Sequence, residues 1–298
     1  MKTDRQRSFL DPQTLARLAR LELNARLPME GSFGGQHKSP HRGASVEFAQ
    51  YREYVPGDDI SKLDWRAYAR SDRFYIKEFE ADTNLRCHLV LDCSGSMAYG
   101  EARTKFDYGR ALAANLAQLA VRQGDAVGVC CFNGKVVEDV PARTGPRHLG
   151  AVYDVLERAH PHGETDAVTV LHELAERIRR RALVVVISDF FAEPEPLLDC
   201  LQHLIYRKHD VVVFHVLDPR EMDFDFSRPV RFRDLESSFS MLTDPSVMRR
   251  DYLREFQGWL DELRTGCLRY KVDYRQARTS ESVEDVLSAF LLGRMRRK

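Results

Sequence analysis

Net charge is absent from this chain. Lys plus Arg and Asp plus Glu number 45 each in 298 residues, so no global basic field draws it to nucleic acid or an anionic membrane. Long apolar runs are missing too: the longest, Leu183 to Ile187 and Val211 to Val216, are strand-sized and far short of the roughly 20 residues that cross a bilayer. The segment Met1 to Leu10 lacks the apolar core and small-residue cleavage site of a secretory signal, which makes the cytoplasm the expected location. Six cysteines (Cys87, Cys93, Cys130, Cys131, Cys200, Cys267) form no C-x-x-C pair and read as buried reduced thiols rather than zinc ligands or a disulfide framework. The ten histidines show no metal-binding spacing, and His37 and His41 read as solvated loop residues. There is no G-x-x-x-x-G-K-[ST] phosphate loop, so the chain is not itself a P-loop ATPase. The basic run Arg177 to Arg181 fits the last turn of a helix and Arg294 to Lys298 a frayed tail, which leaves no platform for nucleic acid.

A chain of this length exceeds the usual single domain, and a large α/β domain with an added lobe is expected. Between Asp11 and Leu27, Leu15, Leu18, Leu21 and Leu23 recur at helical spacing, with Asp11 as N-cap and Pro12 in the first turn. Gly31 to Gly43 has no periodicity and reads as a loop. Val46 to Asn84 contains alternating stretches such as Phe74-Tyr75-Ile76-Lys77-Glu78-Phe79, which predict a small β-rich lobe. From Leu85 onward strands are predicted at 86–91, 125–132, 135–140, 182–188 and 211–217, and helices at 104–122, 147–159, 167–181 and 195–208. Asn133-Gly134 between two strand runs predicts a hairpin, with the third strand antiparallel at one edge, whereas the Val- and Ile-rich strands joined by helices should be parallel and buried. After Pro219 a less regular passage precedes a helix over 245–269, a strand near Tyr270 to Tyr274 and a last helix over 281–292. The expected organisation is an N-terminal helix and loop (1–42), a β-rich lobe (43–84), the main α/β domain (85–218) and C-terminal helices with a strand (219–298).

Chemistry concentrates where the first main strand ends. Asp92, Ser94 and Ser96 alternate after Leu89-Val90-Leu91, in the strand-to-helix turn where open α/β sheets bind ligands. Two further oxygen donors fall on the same sheet edge: Thr165 in Gly163-Glu164-Thr165-Asp166, and Asp189 after Val184-Val185-Val186-Ile187-Ser188. An all-oxygen donor set suits a hard divalent cation, magnesium first, with manganese or calcium as alternates. A plain capping turn is the simplest other use of Asp-x-Ser-x-Ser, because these residues bond to backbone N–H groups before helices. An α/β-hydrolase elbow needs Gly where Asp92 stands, and a phosphotransferring aspartate of the haloacid dehalogenase type needs a second Asp where Ser94 stands.

Asp92-Cys93-Ser94-Gly95-Ser96, with Thr165 and Asp189, resembles the metal-ion-dependent adhesion site (MIDAS) of von Willebrand factor type A (vWA) domains. The series Phe48 to Asp59, Leu63-Asp64-Trp65-Arg66-Ala67-Tyr68-Ala69-Arg70 and Lys77-Glu78-Phe79-Glu80 is similar to the bacterial family called domain of unknown function fifty-eight, over roughly residues 42–292. The resemblance implies a Rossmann-like, mostly parallel six-stranded sheet with helices on both faces. It also implies a Mg2+ held directly by Ser94 and Ser96, with Thr165, Asp92 and Asp189 bound directly or through water, and a position left open for an acidic group of a partner. Members are typically encoded beside MoxR-type AAA+ ATPases, so the implied function is a non-catalytic protein-binding module acting with such an ATPase or its client. Two features depart from the family pattern: many members carry two N-terminal membrane helices that this sequence lacks, and Gly-Glu-Thr stands here where Gly-Gly-Thr is common.

The rival from another class is a metal-dependent hydrolase, for which Glu164 and Asp166 are the nearby bases. Asp58, Asp59 and Asp64 read as turn and cap residues paired with Arg52, Arg66 and Arg70 in a structural charge network, not as a second metal centre. Trp65 reads as core or lobe-interface packing.

Overall fold

The computed structural model describes residues 7–18, 20–24, 47–55, 63–71, 73–80, 85–226, 228–236 and 239–295. They divide into two compact units, one of Met1–Arg26 with Arg86–Lys298 and one of Leu27–Leu85. The first element, α1 (Pro12–Leu18), starts where Asp11 accepts the Thr14 N–H at 3.1 Å. It ends well before Leu27. Residues 20–24 are irregular, and the buried Leu23 N–H donates to Gln123 Oε1 at 2.8 Å instead of continuing a helical ladder. The stretch Gly31 to Gly43 lies outside the described residues.

In the smaller unit β1 (Glu47–Glu53) and β2 (Tyr75–Glu80) pair antiparallel, and α2 (Trp65–Ser71) lies between them in sequence. Asp64 starts that helix: its carbonyl accepts from Tyr68 N at 3.0 Å and its Oδ1 from Ala67 N at 3.3 Å. Tyr68 and Phe74 stack at 4.4 Å, whereas Trp65 is 59% exposed with its ring edge-on to Tyr68, so of the two expected roles, core or lobe-interface packing, the core one does not hold within this unit. Asp58, Asp59 and the side chains of Arg52 and Arg66 lie outside the described residues; Arg70 is exposed and Asp64 is the buried cap.

The larger unit then runs β3 (Arg86–Asp92), α3 (Lys105–Arg122), β4 (Ala126–Phe132), β5 (Val136–Arg143), α4 (Pro146–Arg158), α5 (Ala167–Arg177), β6 (Leu183–Ser188), α6 (Pro194–Tyr206) and β7 (Asp210–Leu217). After these come α7 (Pro219–Asp223), β8 (Val230–Arg233), β9 (Ser240–Thr243), α8 (Pro245–Arg269), β10 (Asp273–Arg278) and α9 (Val283–Met295). Six strands form one sheet in the order β10-β7-β6-β3-β4-β5, parallel except for the antiparallel β4–β5 pair at the edge. The hairpin expected from Asn133-Gly134 is that pair.

Strand alternation divides the core between two faces. Val90, Val184, Val186, Val211 and Val213 point to α5, α6 and α8 through Leu171, Leu201, Leu263 and Cys267. Leu91 and Ile187 point the other way, against Gly109 of α3, where an added Cβ would meet them at about 3 Å, and Phe214 meets Phe290 of α9 at 5.1 Å. Each fully buried aliphatic side chain contributes roughly 1.5–3 kcal/mol, which explains why this sheet tolerates a polar cluster at one end. All six cysteines are free and buried. Among the described residues no helix is long and apolar enough to cross a membrane.

Several boundaries differ from the sequence expectation. α5 stops at Arg177 because Ile178 leaves helical dihedrals (ψ 90°) to bury its side chain, so Arg179 to Arg181 lie in the connection and not in a helical turn. The strand expected near Tyr270 begins at Asp273. The passage after Pro219 holds a capped helical turn and the β8–β9 hairpin.

Candidate functional site

β3 has its strand neighbours β4 and β6 on opposite sides and sends α3 off from its carboxyl end, which makes that end the switch point of the sheet. The turn there is built by the residues it displays. Asp92 Oδ1 accepts from Ser94 N at 2.8 Å and Oδ2 from Ser188 Oγ at 2.6 Å, tying the end of β3 to the end of β6. Gly95 N donates to Gly163 O at 2.8 Å, joining this turn to the loop that carries Thr165. A single 3-10 turn, Gly95–Ala98, follows, and the Ser94 and Ser96 hydroxyls stand 3.1 Å apart.

Asp189 follows β6, and Thr165 lies in the loop before α5 that Gly163 ties to the turn. Asp189 Oδ2 accepts from Lys105 Nζ at 2.7 Å, while Asp189 Oδ1 is buried with no hydrogen-bond partner among the described residues. Thr165 Oγ1 is likewise buried and unpartnered. Unsatisfied buried oxygens are uncommon, and each costs about 1–3 kcal/mol. Burial, then the charge of Asp189, pushes the Asp92 carboxyl up to about 7 against the opposing bonds from Ser188 and Ser94. The edge thus holds oxygen donors and negative charge in excess of its internal partners, the condition a small cation relieves. Among the described residues no three His, Cys, Asp or Glu side chains converge as a metal cluster, so any ion here depends on hydroxyl oxygens. That fits Mg2+, Mn2+ or Ca2+ and not a soft metal.

Other residues of the site escaped the sequence reading. Lys105, fully buried in the first turn of α3, also donates to Glu221 Oε1 at 2.6 Å, and its ammonium lies 4.5 Å from the Phe191 ring. Burial works against its charge, but Asp189 and Glu221 outweigh that and hold it above the usual lysine range. Glu221 is placed by a capping box, its Oε2 accepting from Asp218 N at 3.0 Å. A lysine in a first turn opposes the helix dipole, which was the one available signal. Glu236, from the loop between β8 and β9, accepts from Ser96 N at 3.3 Å and from Thr165 N at 3.0 Å. Its partners are 140 and 71 residues away, beyond any local pattern. Of the two candidate bases, Asp166 is committed to capping α5, with Thr169 N at 3.0 Å, and Glu164 is exposed.

His215 fixes the turn after β6. Its Nε2 faces the Asp189 carbonyl at 2.8 Å, which only accepts, so Nε2 carries the proton and Nδ1 accepts from Tyr274 OH at 2.7 Å. Burial depresses its pKa from 6.5 to about 4. The neutral ring therefore contributes stability that is fully present above pH 6.5 and is lost as pH falls towards 4, up to about 3 kcal/mol. Denaturant unfolding at pH 7 and pH 4.5 should show a smaller acid loss in His215→Asn than in the wild type. Equal losses would remove His215 from the account.

Residues 50–258, which contain Asp92, Ser94, Ser96, Lys105, Thr165, Asp189, His215, Glu221 and Glu236, match the family described as Protein of unknown function DUF58. The chain belongs to the DUF58 family. This DUF58 chain is 32% identical over 252 residues to Uncharacterized protein Rv1480 of Mycobacterium tuberculosis (strain ATCC 25618 / H37Rv), covering 82% of this chain and 78% of that one. It is 28% identical over 140 residues to Uncharacterized protein YeaD of Bacillus subtilis (strain 168), covering 47% and 32%. Among solved structures, the conserved hypothetical protein BatB of Bacteroides thetaiotaomicron superposes with a TM-score of 0.50 at 16% identity, over 72% of this DUF58 chain and all of that one, a likeness of fold alone.

Proposed function

We propose that this edge is a MIDAS-like centre on a vWA-like sheet, and that the protein is a metal-dependent, non-catalytic binding module. The observation that carries the reading is the pair of buried, unpartnered oxygens, Thr165 Oγ1 and Asp189 Oδ1, on the edge that also holds the close Ser94–Ser96 hydroxyl pair. Ser94, Ser96, Thr165, Asp92 and Asp189 would hold Mg2+, with Mn2+ or Ca2+ able to substitute. When bound, the ion supplies a positive charge that can accept one carboxylate from outside. Lys105 already neutralises one carboxylate of the edge, leaving the rest for a dication. The hydrolase is the weaker reading, because Asp166 caps α5 and Glu164 is exposed to solvent.

The partner that family resemblance nominates is a MoxR-type AAA+ ATPase or the client it remodels, in the cytoplasm, engaged through an acidic side chain. The test is co-purification with the MoxR-type ATPase of the same genome. The complex should form in Mg2+, fall apart in EDTA, and be lost in Asp92→Ala. An association indifferent to both treatments would defeat the metal bridge, and Mg2+-dependent phosphatase or nuclease turnover abolished by Asp189→Ala would replace it with the hydrolase.

A further inference from the structure

Glu236 places a carboxylate where a partner's acid would have to arrive. Its two oxygens accept from the amides of Ser96 and Thr165, two of the residues whose hydroxyls would hold the ion. The backbone of the same loop is pressed onto the turn: a Cβ added to Gly95 would lie 2.3 Å from Leu235 O. The loop is braced from within and below. Glu236 N donates to Asp234 Oδ1 at 2.9 Å, Asp234 N to Phe239 O at 2.9 Å, and Phe232 of β8 stacks on the buried Phe224 at 5.6 Å. Yet no Lys, Arg or His among the described residues pairs with Glu236, although it sits beside an edge that already carries Asp92 and Asp189. A cation at this edge would supply the counter-charge that carboxylate lacks among the described residues.

We propose that Glu236 is the chain's own acidic occupant of the centre, a built-in ligand that a partner's carboxylate must displace. This rests on the cation reading of the site. The β8–β9 hairpin then acts as a stopper: affinity for an acidic partner is reduced by the fraction of time Glu236 is seated. Displacing it costs two charge-assisted hydrogen bonds and frees the Ser96 and Thr165 amides for the incoming group.

The test is Mn2+ titration of the full chain by calorimetry and water-proton relaxation, in wild type, Asp92→Ala, Glu236→Ala and Gly95→Ala. Gly95 does not have positive φ, so its alanine variant concentrates the strain on the contact with the Leu235 carbonyl while keeping Glu236. Wild type should bind Mn2+ and Asp92→Ala should not. Glu236→Ala and Gly95→Ala should bind roughly tenfold more weakly, with greater relaxation per bound ion. Added acetate should lower that relaxation in Glu236→Ala and leave wild type unchanged. If wild type binds Mn2+ and both hairpin variants match it in affinity, relaxation and acetate response, the built-in ligand is refuted and the cation site stands. If wild type binds no Mn2+, both fall.

Discussion

Lys105→Met should cost the protein about 3–5 kcal/mol, the penalty for removing one partner of a buried ion pair. The methionine matches the lysine stem in length and lacks its charge, so the loss isolates the ammonium. In the native protein that ammonium lies 2.7 Å from Asp189 and 2.6 Å from Glu221, and its side chain is sealed from solvent. Without it, Asp189 and Glu221 become buried carboxylates with no counter-charge. Burial already raises Glu221 with Lys105 opposing the rise, so the variant pushes that carboxyl further towards its neutral form. Denaturant unfolding at pH 7 reads the loss directly. A change below about 1 kcal/mol would mean that water or a shifted side chain replaces the lysine and that the triad is not structural.

The second large effect concerns a single oxygen. Thr165→Val keeps the shape of the side chain and deletes an Oγ1 that has no hydrogen-bond partner. The metal-free variant should therefore be as stable as the wild type or slightly more so, because an unsatisfied buried group is removed. In Mg2+ the order reverses. A ligand at one hundred times its dissociation constant stabilises a protein by about 2.7 kcal/mol, and the variant should lose most of that gain. The pair of thermal midpoints, with EDTA and with Mg2+, separates a ligand oxygen from a packing residue. A variant destabilised equally in both conditions would show that Thr165 only packs.

Legibility followed the range of the interactions. Helix α8 was readable over Pro245–Arg269 because its start is punctuated by Asp244 and Pro245, and its apolar positions recur for twenty-five residues. The buried strands β6 and β7 announced themselves as Val and Ile runs, and the edge hairpin by Asn133-Gly134. The placement of Asp92, Ser94, Ser96, Thr165 and Asp189 on one sheet edge was legible because strand ends converge there by topology. What failed was short or tertiary. The four-residue strand Val230-Arg231-Phe232-Arg233 alternates correctly, but it is too brief to stand out, and it is held by rings from elsewhere in the chain, Phe224 above all. Lys105, His215 and Glu236 gain their roles from partners 84, 26 and 140 residues away, and no local spacing encodes those meetings. The early end of α1 has the same cause: Leu23 finds its partner at Gln123.

The central claim is that one small divalent ion is held by the oxygens at the ends of β3 and β6 and in the Thr165 loop. Crystals grown in Mn2+, with anomalous scattering collected at the manganese edge, address it most directly. One strong peak per chain is expected, in contact with the Ser94 and Ser96 hydroxyls at about 2.0–2.3 Å and adjacent to Thr165 Oγ1 and Asp189 Oδ1. No peak at that edge, or a peak confined to other side chains such as the His172 and His203 pair, would contradict it.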